Sequence, residues 1–319
     1  MLYNILKIPA RIALVIYCRD LKINDRRALA AKGPLLIAAN HPNSFLDAII
    51  IATLFDQPVY SLARGDAFTN RFTISLLKSL NILPVYRLSE GAENLGHNYS
   101  TFEQCRDIFK KNGIVLIFSE GRCINEWKLR PLMKGTARLA ISSWEEGINL
   151  TILPAGINYH SFTRFGKHIH LHFGKPFTKE DIATGNGYGK TIQDFNTRLT
   201  GELQDLVLDI EEEDHASRRQ LFGKKTGTPA FLWLALPAMT GWLLHAPLYY
   251  PIRWITHRKA AGTGHYDSIM VGLLFLLYPV YLLFAALLCW KVLDGYWWPL
   301  VFVVMPFTAW SFVQWKERF

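Results

Sequence analysis

The distribution of charge in the last third of the chain most constrains how this sequence can fold. Three stretches of the 319-residue chain contain no Asp, Glu, Lys or Arg: Thr226–Ile252, Ser268–Trp290 and Gly295–Trp315. Each is long enough to cross a lipid bilayer, because about 20 apolar residues span its hydrocarbon core. A soluble core seldom needs such stretches in series. They predict a membrane region over residues 229–319, preceded by a more evenly charged part of the chain.

Prolines and positive charges favour one topology for this region. The first stretch contains Pro237, Gly241 and Pro247, which are poor residues inside a helix. Three simple crossings would also place Arg258 opposite the basic residues around Arg219, against the tendency of positive loops to share the cytoplasmic side. We therefore predict a re-entrant or interfacial segment at about 229–252, then spans at about 268–290 and 295–315. The charged part is expected on the cytoplasmic face.

The charged part divides into three sections. Within residues 1–20, Lys7 and Arg11 lie four positions apart, hence on one helical face. This predicts an interfacial helix, although a buried core helix fits the pattern almost as well. Residues 21–210 would form the catalytic domain. Residues 211–228 combine an acidic run with several basic residues and predict a charged linker.

The net charge of +9 favours anionic partners. Nucleic acid is the weakest of these, because the basic residues are scattered and no recognition motif is present. A phospholipid surface fits better. His168, His170 and His172 alternate along one predicted strand, which spaces them about 7 Å apart without a neighbouring carboxylate. We predict a solvated strand face there, and no metal site.

Short apolar runs alternate with amphipathic stretches between Pro34 and Tyr159. Continuously apolar runs are typical of strands buried on both faces. The alternation predicts an α/β fold: a mixed, mostly parallel sheet flanked by helices. Ser100 and Glu103 form a capping box that predicts the start of one helix. The five runs are Pro34–Asn40, Pro58–Ala63, Ile82–Tyr86, Ile114–Phe118 and Leu150–Ile157.

Chemically active residues follow four of these runs. His41 comes after the first run, Arg64 after the second, Arg87 after the third and Glu120 after the fourth. Ligands of α/β sheets gather beyond the carboxyl ends of the strands. The sequence therefore predicts a site at that edge, with an imidazole, two guanidinium groups and a carboxylate.

Residues 40–47, NHPNSFLD, contain the strongest candidate for general-base chemistry. A histidine becomes an effective base for an alcohol when a carboxylate fixes its tautomer. His41 stands just before a predicted helix and Asp47 about one turn inside it, so the two side chains could meet. The alternative is that Ser44 and Asp47 form a capping box, which would make Asp47 a helix-start residue.

Four motifs resemble those of the glycerol-3-phosphate and 1-acylglycerol-3-phosphate (lysophosphatidic acid) acyltransferase superfamily. NHPNSFLDA resembles its first motif, N-H-x-x-x-x-D, and LNILPVYR, at residues 80–87, resembles its second. FSEG, at residues 118–121, resembles the third motif, usually F-P-E-G, and ILPAGI, at residues 152–157, resembles the fourth. The motifs occur in the family's order over about residues 30–180.

The sequence departs from the usual family pattern in two places. Five residues, rather than four, separate His41 from Asp47, and Ser119 replaces the usual proline. The longer spacing, the stretch at residues 128–140 and the hydrophobic C-terminal region resemble the fungal-type branch that acylates glycerol-3-phosphate or dihydroxyacetone phosphate.

The resemblance implies a role for each matching residue. His41 would deprotonate the acceptor hydroxyl and Asp47 would orient the imidazole. Arg87 would bind the acceptor phosphate, and Glu120 with Gly121 would hold its glycerol part. Three further residues extend the predicted site: Arg64 at the same edge, Lys134 at a helix start where it could meet a phosphate, and Pro154 in the wall of the acyl pocket.

The implied reaction needs no cofactor. The co-substrate would be an acyl thioester of coenzyme A or of acyl carrier protein, and the acceptor a phosphorylated glycerol. Its partners would be these two substrates and the phospholipid membrane, with no nucleic acid. The alternatives are a lipid ester hydrolase, which needs a positioned water or nucleophile, and a non-catalytic lipid-binding membrane protein. The sequence has no G-x-S-x-G nucleophile motif.

Overall fold

A seven-stranded sheet organises the first two-thirds of the chain, as seen in a computed structural model. The structure describes residues 2–86, 97–183, 187–223, 228–292 and 295–316. The strand order is β1-β7-β6-β2-β5-β3-β4. The strands are Cys18–Ile23 (β1), Leu35–Ala39 (β2), Val59–Arg64 (β3), Ile82–Val85 (β4), Ile114–Phe118 (β5), Thr151–Tyr159 (β6) and Lys167–Phe173 (β7).

The sheet is mixed and mostly parallel, which confirms the predicted fold class. All neighbouring pairs from β6 to β4 are parallel, β6 and β7 are antiparallel, and β1 runs parallel to β7. The carboxyl ends of β6, β2, β5, β3 and β4 therefore share one edge. Each of the five predicted runs became one of these strands, because their continuous apolar sequences suit burial on both faces.

The central strands separate two hydrophobic cores. Along β2, Leu36 and Ala38 face one core, whereas Leu35, Ile37 and Ala39 face the other. The first core packs against helices α4, α5 and α6, and the second against α1 and α2. The helices of this part of the chain, which also include α3, are Leu2–Tyr17 (α1), Phe45–Leu54 (α2), Arg71–Ser79 (α3), His97–Lys110 (α4), Lys134–Glu145 (α5) and Tyr188–Leu206 (α6).

The predicted start of α4 was wrong. The helix includes His97, so Ser100 and Glu103 lie inside it and cannot cap its start. The helix is followed by Asn112, which has a φ of 56°, and by Gly113, whose amide donates to the Ile108 carbonyl at 2.8 Å. A left-handed residue after the last turn is a common helix stop.

Helix α1 turns its charged side chains towards the protein. Lys7 Nζ donates to the carbonyl of Asp56 at 3.0 Å and Arg11 donates to that of Leu54 at 2.9 Å, at the C-terminal end of α2. Cations are favoured there by the unpaired carbonyls and the helix dipole. The opposite face of α1 is apolar and exposed. Ile5, Ile8, Ile12 and Val15 have between 56% and 67% of their surface exposed.

The prediction of a solvated histidine face on β7 was wrong. His168 and His170 are buried. The predicted linker forms a short helix, His215–Phe222 (α7), and the ring centroid of Phe222 lies 4.6 Å from that of His170. The side chains of Phe222 and Arg218 turn inward, and Cζ of Arg218 lies 4.1 Å from the centroid of the Trp127 ring.

We expect the buried His170 to make folding sensitive to acid. Burial, with Lys22 and His172 nearby, lowers the pKa of His170 from 6.5 to about 4. Between these values the unfolded chain binds more protons than the folded one, so stability should fall as the pH drops from 6.5 towards 4. His170→Leu should weaken this dependence in thermal melts of the solubilised protein. His257→Ala, an exposed control, should leave the dependence unchanged; equal slopes in all three proteins would contradict the expectation.

Three long apolar helices complete the chain: Thr228–Ala260 (α8), Tyr266–Val292 (α9) and Val301–Trp315 (α10). Within the described residues, two segments are long and apolar enough to cross a membrane, Tyr266–Val292 and Trp298–Trp315. Helix α8 continues through Pro237, Pro247 and Pro251 without interruption. The segment predicted at 229–252 as re-entrant or interfacial is part of this continuous helix, and its place relative to a membrane stays a prediction.

Candidate active site

His41 lies in the loop that joins β2 to α2, at the carboxyl edge of the sheet. Its Nδ1 is 2.9 Å from Asp47 Oδ2. The Asp47 side chain is fully buried, whereas 15% of the His41 side chain is exposed. The predicted pair therefore forms, with its carboxylate inside the protein and its imidazole at the surface of the site.

Asp47 is held by two further donors. The Tyr159 hydroxyl donates to Oδ1 at 2.6 Å, and the Asn43 amide donates to Oδ2 at 2.8 Å. The alternative capping box is wrong, because the Ser44 side chain makes no capping hydrogen bond. Ser44 instead has a φ of 51°, a backbone conformation that L residues seldom adopt.

Glu120 fixes the backbone on both sides of the site. Its Oε2 accepts the His41 amide and its Oε1 accepts the Arg130 amide, each at 2.9 Å. Gly121 follows with a φ of 67°, and a Cβ there would lie 2.9 Å from Met133 Cγ. The turn after β5 therefore requires glycine. It brings Glu120 against the end of the neighbouring β2.

Burial sets the protonation of the groups around His41. Burial raises the pKa of Glu120, and the two backbone donors oppose that increase. Burial also raises the pKa of Tyr159 well above its usual range, with the Asp47 carboxylate as the next cause. Tyr159 therefore remains a hydroxyl donor at neutral pH. With Nδ1 next to a carboxylate, the His41 tautomer with its proton on Nδ1 is favoured.

The face of the imidazole is covered by Phe118. The two rings stack with a centroid distance of 3.8 Å and an interplanar angle of 10°. This contact and the hydrogen bond to Asp47 fix both the plane and the rotation of the ring. Within the described ranges, Nε2 makes no hydrogen bond to the protein. It is thus available to a substrate hydroxyl.

The other predicted residues differ in their positions. Arg64 ends β3 at the same edge, but its guanidinium forms an ion pair with Asp66. Lys134 begins α5 and is exposed beside a groove of about 690 Å³. Pro154 lies inside β6, where it pairs with Ala38 of β2. It is therefore not at the carboxyl edge, because Ala38 precedes His41 by three positions. Arg87 lies outside the described residues.

Three residues of the site were not singled out from the sequence. Asn40 holds β2 to β6, because its side chain exchanges hydrogen bonds with the backbone of Ile157 at 2.8 and 3.1 Å. Asn43 and Tyr159 both donate to Asp47. Of the three, Tyr159 had a signal in the sequence that could have placed it in the site. It follows the fourth motif, at the end of a strand that adjoins β2. The partners of Asn40 and Asn43 depend on tertiary contacts.

The family comparison covers the site. The acyltransferase family model matches residues 20–158, which include the His41–Asp47 pair and Glu120. Residues 20–158 form an acyltransferase domain. The protein is therefore an acyltransferase enzyme.

The chain also resembles a solved structure. The 1-acyl-sn-glycerophosphate (LPA) acyltransferase PlsC from Thermotoga maritima is 13% identical, with a TM-score of 0.47. The similarity covers 70% of this chain and 82% of that chain. A comparison with curated proteins returned no match.

The geometry of the acyltransferase site supports proton transfer by a side chain. Among the described residues, no group of three or more His, Cys, Asp or Glu side chains could hold a metal ion. The site instead combines an oriented imidazole, a buried carboxylate and an adjacent turn of fixed geometry. Such an arrangement can remove a proton from an alcohol and return it to a leaving group.

Proposed function

We propose that the protein transfers a fatty acyl group from an acyl thioester to a hydroxyl of a glycerol-phosphate acceptor. The acceptor would be 1-acylglycerol-3-phosphate or glycerol-3-phosphate, and the reaction would serve phospholipid synthesis. The 2.9 Å contact between His41 Nδ1 and the buried Asp47 carboxylate carries this proposal. It makes His41 a general base whose free nitrogen faces the site.

The reaction proceeds without an acyl-enzyme. His41 Nε2 takes the proton of the acceptor hydroxyl while its oxygen attacks the thioester carbonyl. Asp47 stabilises the imidazolium that results. The tetrahedral intermediate then collapses, the carbon–sulfur bond breaks, and the thiolate takes the proton from His41. The products are the ester and the free thiol, and the enzyme returns to its initial state.

Binding of the phosphorylated acceptor needs cations near this pair. Lys134 supports that role, because it begins α5 and the Met133 amide before it donates to the Ser119 carbonyl at 2.8 Å. The start of α5 is thereby tied to the end of β5. Helix starts favour anions. Arg87 remains the predicted ligand of the acceptor phosphate, and Arg64 a predicted substrate-binding residue at the same edge. For Glu120 the contacts favour a positioning role, since both of its oxygens accept backbone amides.

A lipid surface would supply the acceptor and take up the product. The outer face of α9 supports membrane attachment, because its large apolar side chains are exposed and water would not favour such a surface. The most exposed of them are Leu276, Val280, Phe284, Leu287 and Val292, each with 60% or more of its surface exposed. The turn after α8 contacts the loop at residues 40–44, which joins β2 to α2 and is called the catalytic loop below. Arg258 and Lys259, at the end of α8, therefore lie on the same side of the apolar helices as the site. This favours a cytoplasmic catalytic domain.

Helix α1 is proposed to lie in the membrane interface. Lys7 and Arg11 donate to carbonyls at the end of α2, whereas Ile5, Ile8, Ile12 and Val15 on the opposite face are exposed, which is the reverse of a helix on a soluble domain. We expect an environment-sensitive dye on a cysteine at Ile8 or Ile12 to shift to shorter wavelengths when the protein is reconstituted in vesicles. A dye at the exposed Lys179 should not shift. Labelling of the native cysteines is subtracted, and equal spectra at all three positions would contradict the prediction.

The proposed reaction is tested with the reconstituted protein. Labelled acyl-CoA and acyl carrier protein thioesters are each supplied with glycerol-3-phosphate, 1-acylglycerol-3-phosphate or dihydroxyacetone phosphate. We expect a labelled ester with at least one acceptor, and little free fatty acid when no acceptor is present. Equal release of fatty acid with and without acceptors would indicate a hydrolase. Acylation of none of the acceptors would refute the proposal.

A further inference from the structure

A buried ion pair joins the membrane region to the catalytic domain. Asp267 lies in the first turn of α9, and its Oδ2 contacts Nζ of Lys167 in β7. Both side chains are fully buried. A buried carboxylate at the start of an apolar helix is costly unless it is paired and hydrogen-bonded.

Both oxygens of Asp267 are occupied by donors from the catalytic domain. Oδ1 accepts the Tyr17 hydroxyl at 2.6 Å, and Oδ2 accepts Asn43 Nδ2 at 2.6 Å as well as Lys167. Tyr17 ends α1, Asn43 lies in the catalytic loop and Lys167 begins β7. One carboxylate therefore ties three separate parts of the domain to α9.

Asn43 connects Asp267 with the proposed catalytic pair. Its side chain donates to Asp267, and its backbone amide donates to Asp47 Oδ2 at 2.8 Å. That same oxygen is 2.9 Å from His41 Nδ1. A path of hydrogen bonds thus runs from the first turn of α9 to the imidazole through two residues, Asn43 and Asp47.

The turn before α9 also holds the loop residues that follow Asn43. The Ser44 hydroxyl is 2.7 Å from His265 Nδ1, and the Phe45 amide donates to the Ser268 hydroxyl at 3.0 Å. Ser44, between His41 and Asp47, has a φ of 51°. Such a conformation persists when its surroundings determine it. Here residues at the start of α9 supply part of those surroundings.

We propose that Asp267 is a positioning residue for His41, acting through Asn43 and Asp47. The start of α9 thereby helps to hold the loop between β2 and α2 in place. Its effect on turnover rests on the proposed acyl transfer, whereas its effect on the His41–Asp47 hydrogen bond does not.

A double-substitution cycle separates this role from a purely structural one. Asp267→Asn keeps an acceptor for Tyr17 but presents an amide to the donors of Asn43 and Lys167. We expect Asp267→Asn and Asn43→Ala each to lower kcat by about 100-fold, as small displacements at a reacting centre do, with KM for the acyl donor little changed. The double variant should be no worse than the more damaged single variant, because the two residues act in series.

Two variants control for loss of the fold. Lys167→Met combined with Asp267→Asn removes the unpaired buried charge, and should restore the melting temperature without restoring kcat. Val271→Ala shortens a buried side chain of α9 that has no hydrogen bond to the loop. It should lower the melting temperature and leave kcat near that of the unchanged protein.

A direct measurement reads the His41–Asp47 hydrogen bond without substrate. The proton on His41 Nδ1 is observed by nuclear magnetic resonance in ¹⁵N-histidine-labelled protein, and is assigned by its loss in His41→Ala. We expect it to move upfield or disappear in the folded Lys167→Met, Asp267→Asn variant. An unchanged resonance would overturn the role of Asp267, even if no acceptor were acylated. Absent acylation by the unchanged protein would refute only the proposed function.

Discussion

Replacing His41 with alanine should lower kcat for acyl transfer by about 1,000-fold. General-base catalysis by a positioned side chain contributes about 100- to 10,000-fold, and no other described side chain is placed to replace this imidazole. The fold should persist, because the ring is partly exposed and the backbone amide keeps its bond to Glu120. KM for the acyl donor should change little.

The control for this substitution is His257→Ala. The His257 side chain is exposed on α8 and, within the described residues, makes no hydrogen bond. It should retain full activity in the same vesicles. Full activity of His41→Ala would remove the support for a catalytic role and favour a protein that only binds lipid.

Asp47→Asn should lower kcat by at least about 100-fold. The Tyr159 hydroxyl can still donate to the amide oxygen. The amide nitrogen then faces two donors, His41 Nδ1–H and the Asn43 amide, which would drive the imidazole out of position or into the wrong tautomer. The effect should appear in kcat rather than in KM, because Asp47 is buried and does not reach the substrate.

Asp56→Asn provides the matched control for Asp47. Asp56 is exposed just beyond the end of α2, so the same chemical change there should alter neither kcat nor KM. The melting temperature separates catalysis from folding. If Asp47→Asn lost stability but kept its turnover, the carboxylate would serve only the fold.

Much of the architecture followed from local sequence. The apolar runs predicted five of the strands because burial on both faces requires an unbroken apolar sequence. The order of those strands placed His41 and Glu120 at one edge, since adjacent parallel strands end together. The amphipathic pattern of α1 also predicted a helix, but it did not indicate which face points outward. That choice depends on the C-terminal carbonyls of α2, which accept Lys7 and Arg11.

The errors have a common physical cause. Ser44 and Asp47 fit a capping box, and the histidines of β7 fit a solvated face, when only near neighbours are considered. In the structure Asp47 accepts a hydrogen bond from the Tyr159 hydroxyl, and the His170 ring packs against Phe222 of α7. Each partner is far away in sequence. A local sequence pattern contains no information about a distant residue that forms a better hydrogen bond or packing contact with the same side chain.

The sequence alone determined the α/β sheet, the edge at which the reacting groups collect and the presence of a long apolar C-terminal region. These follow from periodicity and from the solvation of apolar and charged groups, which act locally. Only the tertiary structure decided that Asp47 faces His41 and that α9 supports the catalytic loop through Asp267. Hydrogen bonds between remote residues fix those positions, and their geometry exists only after the chain has folded.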